Sequence, residues 1–262
     1  MPSRVLIEVC VDSVESAVAA VNGGADRLEL CGNLGLGGGT TPSLGLFKSI
    51  KRVAPDVPIM VMIRPHDIES FKDAGADGVV FGVLQANGWI DVERTRRLVH
   101  EADGMQAFDM TPDPDGGPEG EYEENSPLRQ LVTVQGITRI LTSGRGSSAP
   151  SSTQTLRRIL QTSHTLNIQC RAPGVPLNIL PGSGVNPDSV GQLLRDLLPV
   201  GLKEIHLSGG SWCEGGMLYR KENMGMGLGG PGEWGIWRTS ESVIREVRKI
   251  ADEICINIRH EK

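Results

Sequence analysis

Val5-Leu6-Ile7-Glu8-Val9-Cys10-Val11 alternates between Val5, Ile7, Val9 and Val11 on one row and a second row carrying Glu8 and Cys10. A period of two marks a β-strand with one wholly apolar face. The next residues, Asp12-Ser13-Val14-Glu15, read as an N-cap at Asp12 with a carboxylate three residues on, which opens an apolar-periodic helix ending at Gly23-Gly24. Strand is followed by helix. The order then recurs: Arg27-Leu28-Glu29-Leu30-Cys31 alternates again, Thr41-Pro42 supplies a cap and a first-turn proline, and Pro58 opens a strand over Ile59 to Ile63.

Further along, Gly78 to Gly82, Gly136 to Gly144 and Gly201 to Gly209 share one layout, in which a helix end and a glycine precede a short apolar strand that finishes in small residues. Leu177 to Gly184 adds another, with a helix start at Asn186-Pro187-Asp188, and a weaker strand lies near Met105 to Met110. The total is eight βα units. Alternating strands and helices with right-handed crossovers predict an α/β fold, a TIM-type (β/α)8 barrel forming a single domain over residues 1–262. The length of 262 residues suits one such barrel.

Composition narrows the function. With 26 Lys+Arg against 32 Asp+Glu, a net charge of -6 leaves no basic excess for a phosphate backbone, so nucleic acid is not an expected partner. Apolar runs such as Pro58 to Ile63 fall far short of the roughly 20 residues a membrane helix needs. The start, Met1-Pro2-Ser3-Arg4, lacks an apolar signal region, and the expectation is a cytoplasmic protein without a membrane partner. Five cysteines, irregularly spaced, do not form a zinc or disulfide pattern and are expected to be reduced.

If the apolar rows face the surrounding helices, the other rows line the barrel. That places Glu8, Cys10, Glu29, Cys31, Met60, Met62, Arg64, His206 and Ser208 inside. Buried carboxylates cost several kcal/mol unless paired, so Glu8 and Glu29 require Arg64, His206, water or a ligand beside them. A structural ion-pair network is one reading. Cys10 and Cys31 end adjacent strands about 4.8 Å apart, close enough for their sulfurs to share a soft cation such as Cu(I), with Met62 or His206 as further donors. Simple packing of two cysteines is the alternative. As an enzyme, the same barrel would act on a small anionic or phosphorylated molecule, with Arg64 binding the anion, Glu8, Glu29 or Asp109 as acid or base, and Gly182-Ser183-Gly184 and Ser208 to Ser211 near the phosphate. Turn geometry alone would also explain those glycines. The glycine-rich stretch from Gly209 to Trp234, with Cys213, Met217, Met224 and Met226, is expected over the barrel mouth, as a soft-metal lid, as apolar anchors or as an oligomer contact.

Glu8 to Ala17, Gly23 to Cys31 and Gly38 to Ser43, followed in order by Met62-Ile63-Arg64-Pro65, Asp77 to Gly82, Ala107-Phe108-Asp109-Met110 and Leu141 to Gly144, closely resemble the CutC copper homeostasis family. The resemblance covers nearly the whole chain. It implies a TIM-type barrel, a homo-oligomer such as a dimer or tetramer, cytoplasmic copper handling, and Cu(I) contact at Cys10 and Cys31. It does not imply a reaction. Two departures stand out. Only His66 to Asp73 separates Arg64-Pro65 from the next strand unit, and Asp103-Gly104-Met105-Gln106-Ala107 lacks the interior His-Arg pair of the family. The third helix is therefore expected to be very short and strand five truncated to the point of a gap, so that either the barrel is irregular around strands three to five or the chain is an altered gene product with compromised function.

Overall fold

The computed structural model describes residues 4–36, 38–63, 67–101, 104–107, 126–172, 176–221 and 230–260. Eight parallel strands form one sheet: β1 (Leu6–Val11), β2 (Arg27–Leu30), β3 (Ile59–Met62), β4 (Gly78–Phe81), β5 (Gly104–Ala107), β6 (Ile137–Thr142), β7 (Asn178–Pro181) and β8 (Glu204–Leu207). Hydrogen-bonded neighbours run β7-β6-β5-β4-β3-β2-β1-β8, so the last strand pairs with the first, as in a closing barrel. Between β7 and β8 no ladder is present among the described residues. That seam is bridged at its base by Lys203 Nζ, 3.5 Å from Asn178 Oδ1.

Helices α1 (Val14–Asn22), α2 (Leu44–Val53), α3 (Ile68–Asp73), α4 (Val92–Glu101), α5 (Pro127–Val132), α6 (Thr153–Cys170), α7 (Pro187–Leu197) and α8 (Glu241–His260) alternate with the strands. The apolar rows face these helices, as the alternation predicts. Val5, Ile7, Val9, Val11, Leu28, Leu30, Ile59 and Val61 are fully buried in one core with Phe47 and Ile50 of α2 and Ile244, Val247 and Ala251 of α8. At roughly 25 cal/mol per Å² of apolar area, this layer between strands and helices supplies most of the driving force for folding.

Two helix starts differ from the sequence reading. Ser13, not Asp12, caps α1, its Oγ accepting from Ser16 N at 3.2 Å, while Asp12 Oδ2 accepts from Leu34 N at 3.0 Å and so ties down the loop after β2. Ser43, not Thr41, caps α2. Reciprocal bonds between Gly32 and Thr40, at 2.7 and 2.8 Å, hold that segment extended and delay the helix past Pro42. Asn186 caps α7 as expected, in a box with Ser189 and with Pro187 in the first turn.

Strand five is present. β5 pairs with β4 and with β6, so the expected gap does not exist, and the irregularity is instead a register shift at Gly104/Met105. The expectation of a very short third helix holds, α3 having 6 residues.

The stretch beginning at Gly209 is not a simple loop. β9 (Gly210–Glu214) pairs antiparallel with β10 (Gly235–Thr239), and the rings of Trp212 and Trp237 meet edge to face with centroids 5.7 Å apart. Tertiary packing explains why the glycines misled: a side chain at Gly210 would lie 2.6 Å from the Trp237 ring, and one at Gly35 2.6 Å from Trp212. The hairpin is thereby clamped to the loop that follows β2.

Candidate functional site in the barrel interior

The inner rows divide the barrel into two sides. Met60, Val80 and Leu180, with Met62 and Leu141 against them, form a small apolar cluster on the β3, β4, β6 and β7 side. The β1, β2 and β8 side is polar. Register explains the grouping: Glu8 lies beside Arg27 and His206, Cys10 beside Glu29, and Leu6 beside Glu204. Residues of like parity on three adjacent strands therefore converge.

Glu8 is fully buried, with Oε1 2.8 Å from His206 Nδ1 and Oε2 accepting from Arg27 Nε. Burial pushes its carboxyl up, but the His206 hydrogen bond and the Arg27 charge outweigh that and hold its pKa at about 2. Arg27 also donates from Nη2 to Glu204 Oε2 at 2.7 Å, and Arg139 Nε reaches the same oxygen at 3.0 Å. Arg27 loses by burial, yet Glu8 and Glu204 keep its pKa above the usual value. The base of the barrel is thus a paired charge ladder.

Above it, His206 Nε2 lies 3.4 Å from Glu29 Oε2. Burial would lower the His206 pKa, but Cys10 and the Glu8 and Glu29 carboxylates raise it well above its ordinary value. Glu29 is 2% exposed, and its Oε1 accepts no hydrogen bond among the described residues. Desolvation, aided by the Glu8 charge, lifts its pKa to about 7. One donor atom each from Cys10, Glu29 and His206 lies within 4.8 Å of the other two, and all three residues are buried.

Cys31 falls outside that set. Its Sγ and the Sδ of Met62 each lie 2.7 Å from the point where a side chain on Gly39 would begin. Only glycine lets the loop backbone rest on both sulfurs. Burial pushes the Cys31 thiol well up, and the Glu29 carboxylate beside it adds to the effect.

Of the residues singled out in the sequence, the structure brings together Glu8, Cys10, Glu29 and His206, with Cys31 and Met62 above them. Arg64 and Asp109, the candidate anion binder and acid-base, lie outside the described residues, as do Met224 and Met226. Among the described residues, Arg27 and His206 compensate Glu8. Cys213 is exposed and Met217 is 56% exposed. The glycines proposed for phosphate have local roles: Gly182 leaves room for Leu141 and His206, Gly184 takes a φ of +73°, and Gly210 is covered by Trp237. Sequence reasoning missed Arg27 and Glu204, although each stands two positions before an inward residue and the same parity would have placed it. Arg139 had no such signal, because Ile137 and Ile140 both enter the outer core and their spacing of three breaks the alternation.

Comparison with known proteins identifies the family and supports the fold. The profile of the CutC family matches residues 5–67 and 66–211. A protein of Chromobacterium violaceum named as family protein CutC is 33% identical over 269 aligned positions, covering 95% of this chain and 98% of the relative. The copper homeostasis protein cutC homolog of Homo sapiens is 34% identical over 273 positions, covering 96% of this chain and 90% of the relative. Among solved structures, the CutC protein of Streptococcus agalactiae superposes with a TM-score of 0.63 at 24% identity, covering 78% of this chain and 98% of that one. A thiamine phosphate pyrophosphorylase of Pyrococcus furiosus, with a TM-score of 0.52 at 15% identity over 96% of this chain and 97% of that one, shares the fold. With sulfur, imidazole and carboxylate donors converging in its barrel and this likeness running through nearly its whole length, the chain belongs to the CutC family.

Proposed function

We propose that the protein handles copper in the cytoplasm and that its cargo, Cu(I), is held by the thiolates of Cys10 and Cys31, with Met62 and His206 as further donors. The observation that carries this reading is the meeting of the Cys31 and Met62 sulfurs, with Cys10 on the neighbouring strand close enough for its charge to act on the Cys31 thiol. Cys10 lies in β1, Cys31 directly after β2 and Met62 in β3, the two cysteines are 8% and 1% exposed, and Cys31 and Met62 meet beneath Gly39. Thiolate and thioether are the ligands that select Cu(I) over the hard cations. A binding site reached through the barrel mouth suits a carrier, since the donors are shielded from solvent yet lie at the C-terminal ends of their strands.

All five cysteines are free, which supports a reducing compartment, and no helix among the described residues is long and apolar enough to cross a membrane. The reading includes a homo-oligomer, for which sedimentation velocity gives the subunit number. Its main test is copper stoichiometry under anaerobic, reducing conditions. The wild-type chain should retain Cu(I) against a chromophoric competitor, and the Cys10→Ser, Cys31→Ser double variant should not. Undiminished retention by the double variant would remove the case.

A further inference from the structure

We infer that Cys10, Glu29 and His206 form an alternative donor set, built for a divalent cation of borderline hardness such as Zn(II), which shares Cys10 and His206 with the Cu(I) donors and replaces their Cys31 and Met62 by Glu29. Three observations carry it. The donor atoms lie within 4.8 Å of one another with all three residues buried, a spacing one ion can span. Among the described residues Glu29 Oε1 has no hydrogen-bond partner, although Glu29 is only 2% exposed, so a lone pair in the interior is left for a ligand to satisfy. Glu8 accepts from His206 Nδ1 at 2.8 Å, which leaves Nε2, 3.4 Å from Glu29 Oε2, as the nitrogen that faces the site. A carboxylate behind a ligating histidine is the usual support of such a metal.

The donor chemistry separates the two sets. Carboxylate oxygen is a hard ligand with little to offer Cu(I), whereas one thiolate, one imidazole and one carboxylate are all ordinary Zn(II) ligands, and three protein donors leave a fourth position open. Charge agrees. Glu8, Glu29 and Glu204 oppose Arg27 and Arg139, and a Cys10 thiolate raises the excess to two negative charges when His206 ligates as a neutral ring. A divalent ion balances that excess. The inference goes beyond the copper reading and shares only Cys10 and His206 with it.

The test uses the full-length, reduced, metal-free chain. Titrated with Zn(II) against a chromophoric competitor, the wild type should bind one ion per chain. Co(II) in its place should show a thiolate-to-metal charge-transfer band that Cys10→Ser abolishes. Glu29→Gln should weaken Zn(II) by more than the roughly 10–100-fold that loss of a supporting partner costs, while leaving Cu(I) retention in place. Cys31→Ser should do the reverse. Loss of Cu(I) retention in the wild type with Zn(II) binding intact would sink the copper reading and spare this one. Absence of a stoichiometric Zn(II) site, a Co(II) spectrum without the Cys10-dependent band, or unchanged Zn(II) affinity in Glu29→Gln would overturn it. The Co(II) comparison needs only wild type and Cys10→Ser, and so decides even where Glu29→Gln fails to fold.

Discussion

Glu8 and His206 face each other across the β1-β8 seam, Oε1 2.8 Å from Nδ1, and this contact joins the charge ladder at the base of the barrel to the donor set above it. Below, Arg27 binds both Glu8 and Glu204; above, the far side of the imidazole turns toward Glu29. Stability and ligand geometry are therefore coupled through one ring.

Replacing Arg27 tests the stability side. Arg27→Met keeps the apolar stem but leaves two buried carboxylates without their shared partner, and breaking a buried pair in this way costs about 3–5 kcal/mol. Urea unfolding at pH 7 should show a loss of that order. A loss below about 1 kcal/mol would mean that Arg139 and solvent carry the charge of Glu204 and Glu8 unaided.

Two buried carboxylates give opposite pH signatures in the metal-free protein. Glu8, held at about 2 against an ordinary 4.5, contributes stability that is fully present above pH 4.5 and is lost as pH falls toward 2. Glu29 is raised to about 7, so the folded chain keeps it protonated longer than the unfolded chain does, and stability falls as pH rises from 4.5 to 7. Glu29→Gln removes that loss. Relative to wild type, the variant should gain stability on going from pH 5 to pH 8, by on the order of 3 kcal/mol at most. Parallel urea midpoints at the two pH values would contradict the assignment.

Gly39 tests access to the sulfur pair. A methyl group there would begin 2.7 Å from both Cys31 Sγ and Met62 Sδ, and must displace the loop or the sulfurs. Gly39→Ala should therefore weaken Cu(I) retention about tenfold or more while costing roughly 1–3 kcal/mol of stability, as overpacking does. Retention equal to wild type would place the copper elsewhere.

How far the sequence alone reached is clearest in the strands. Strict alternation in β1 and β2 was enough to place Glu8, Cys10, Glu29 and Cys31 inside, because a strand buried against helices on one face exposes its register in its pattern. His206 followed from Ile205 and Leu207 in the same way. Alternation does not say how far apart inward side chains end, and so it could not separate the Cys10, Glu29, His206 set from the Cys31, Met62 pair. Nor could it find the β9-β10 hairpin, whose glycines serve ring packing by Trp212 and Trp237 that is non-local. β5 was underestimated for a related reason: Gly104 to Ala107 is weak by propensity and is held in place by its two neighbours.

The central claim, that sulfur from β1 and from the end of β2 holds the cargo, is tested most directly by X-ray absorption at the copper edge of the loaded, reduced protein. A spectrum of Cu(I) with at least two sulfur neighbours, falling by one in Cys10→Ser and by one in Cys31→Ser, is the predicted result. A first shell of nitrogen and oxygen alone, or a sulfur count that neither substitution changes, would contradict it.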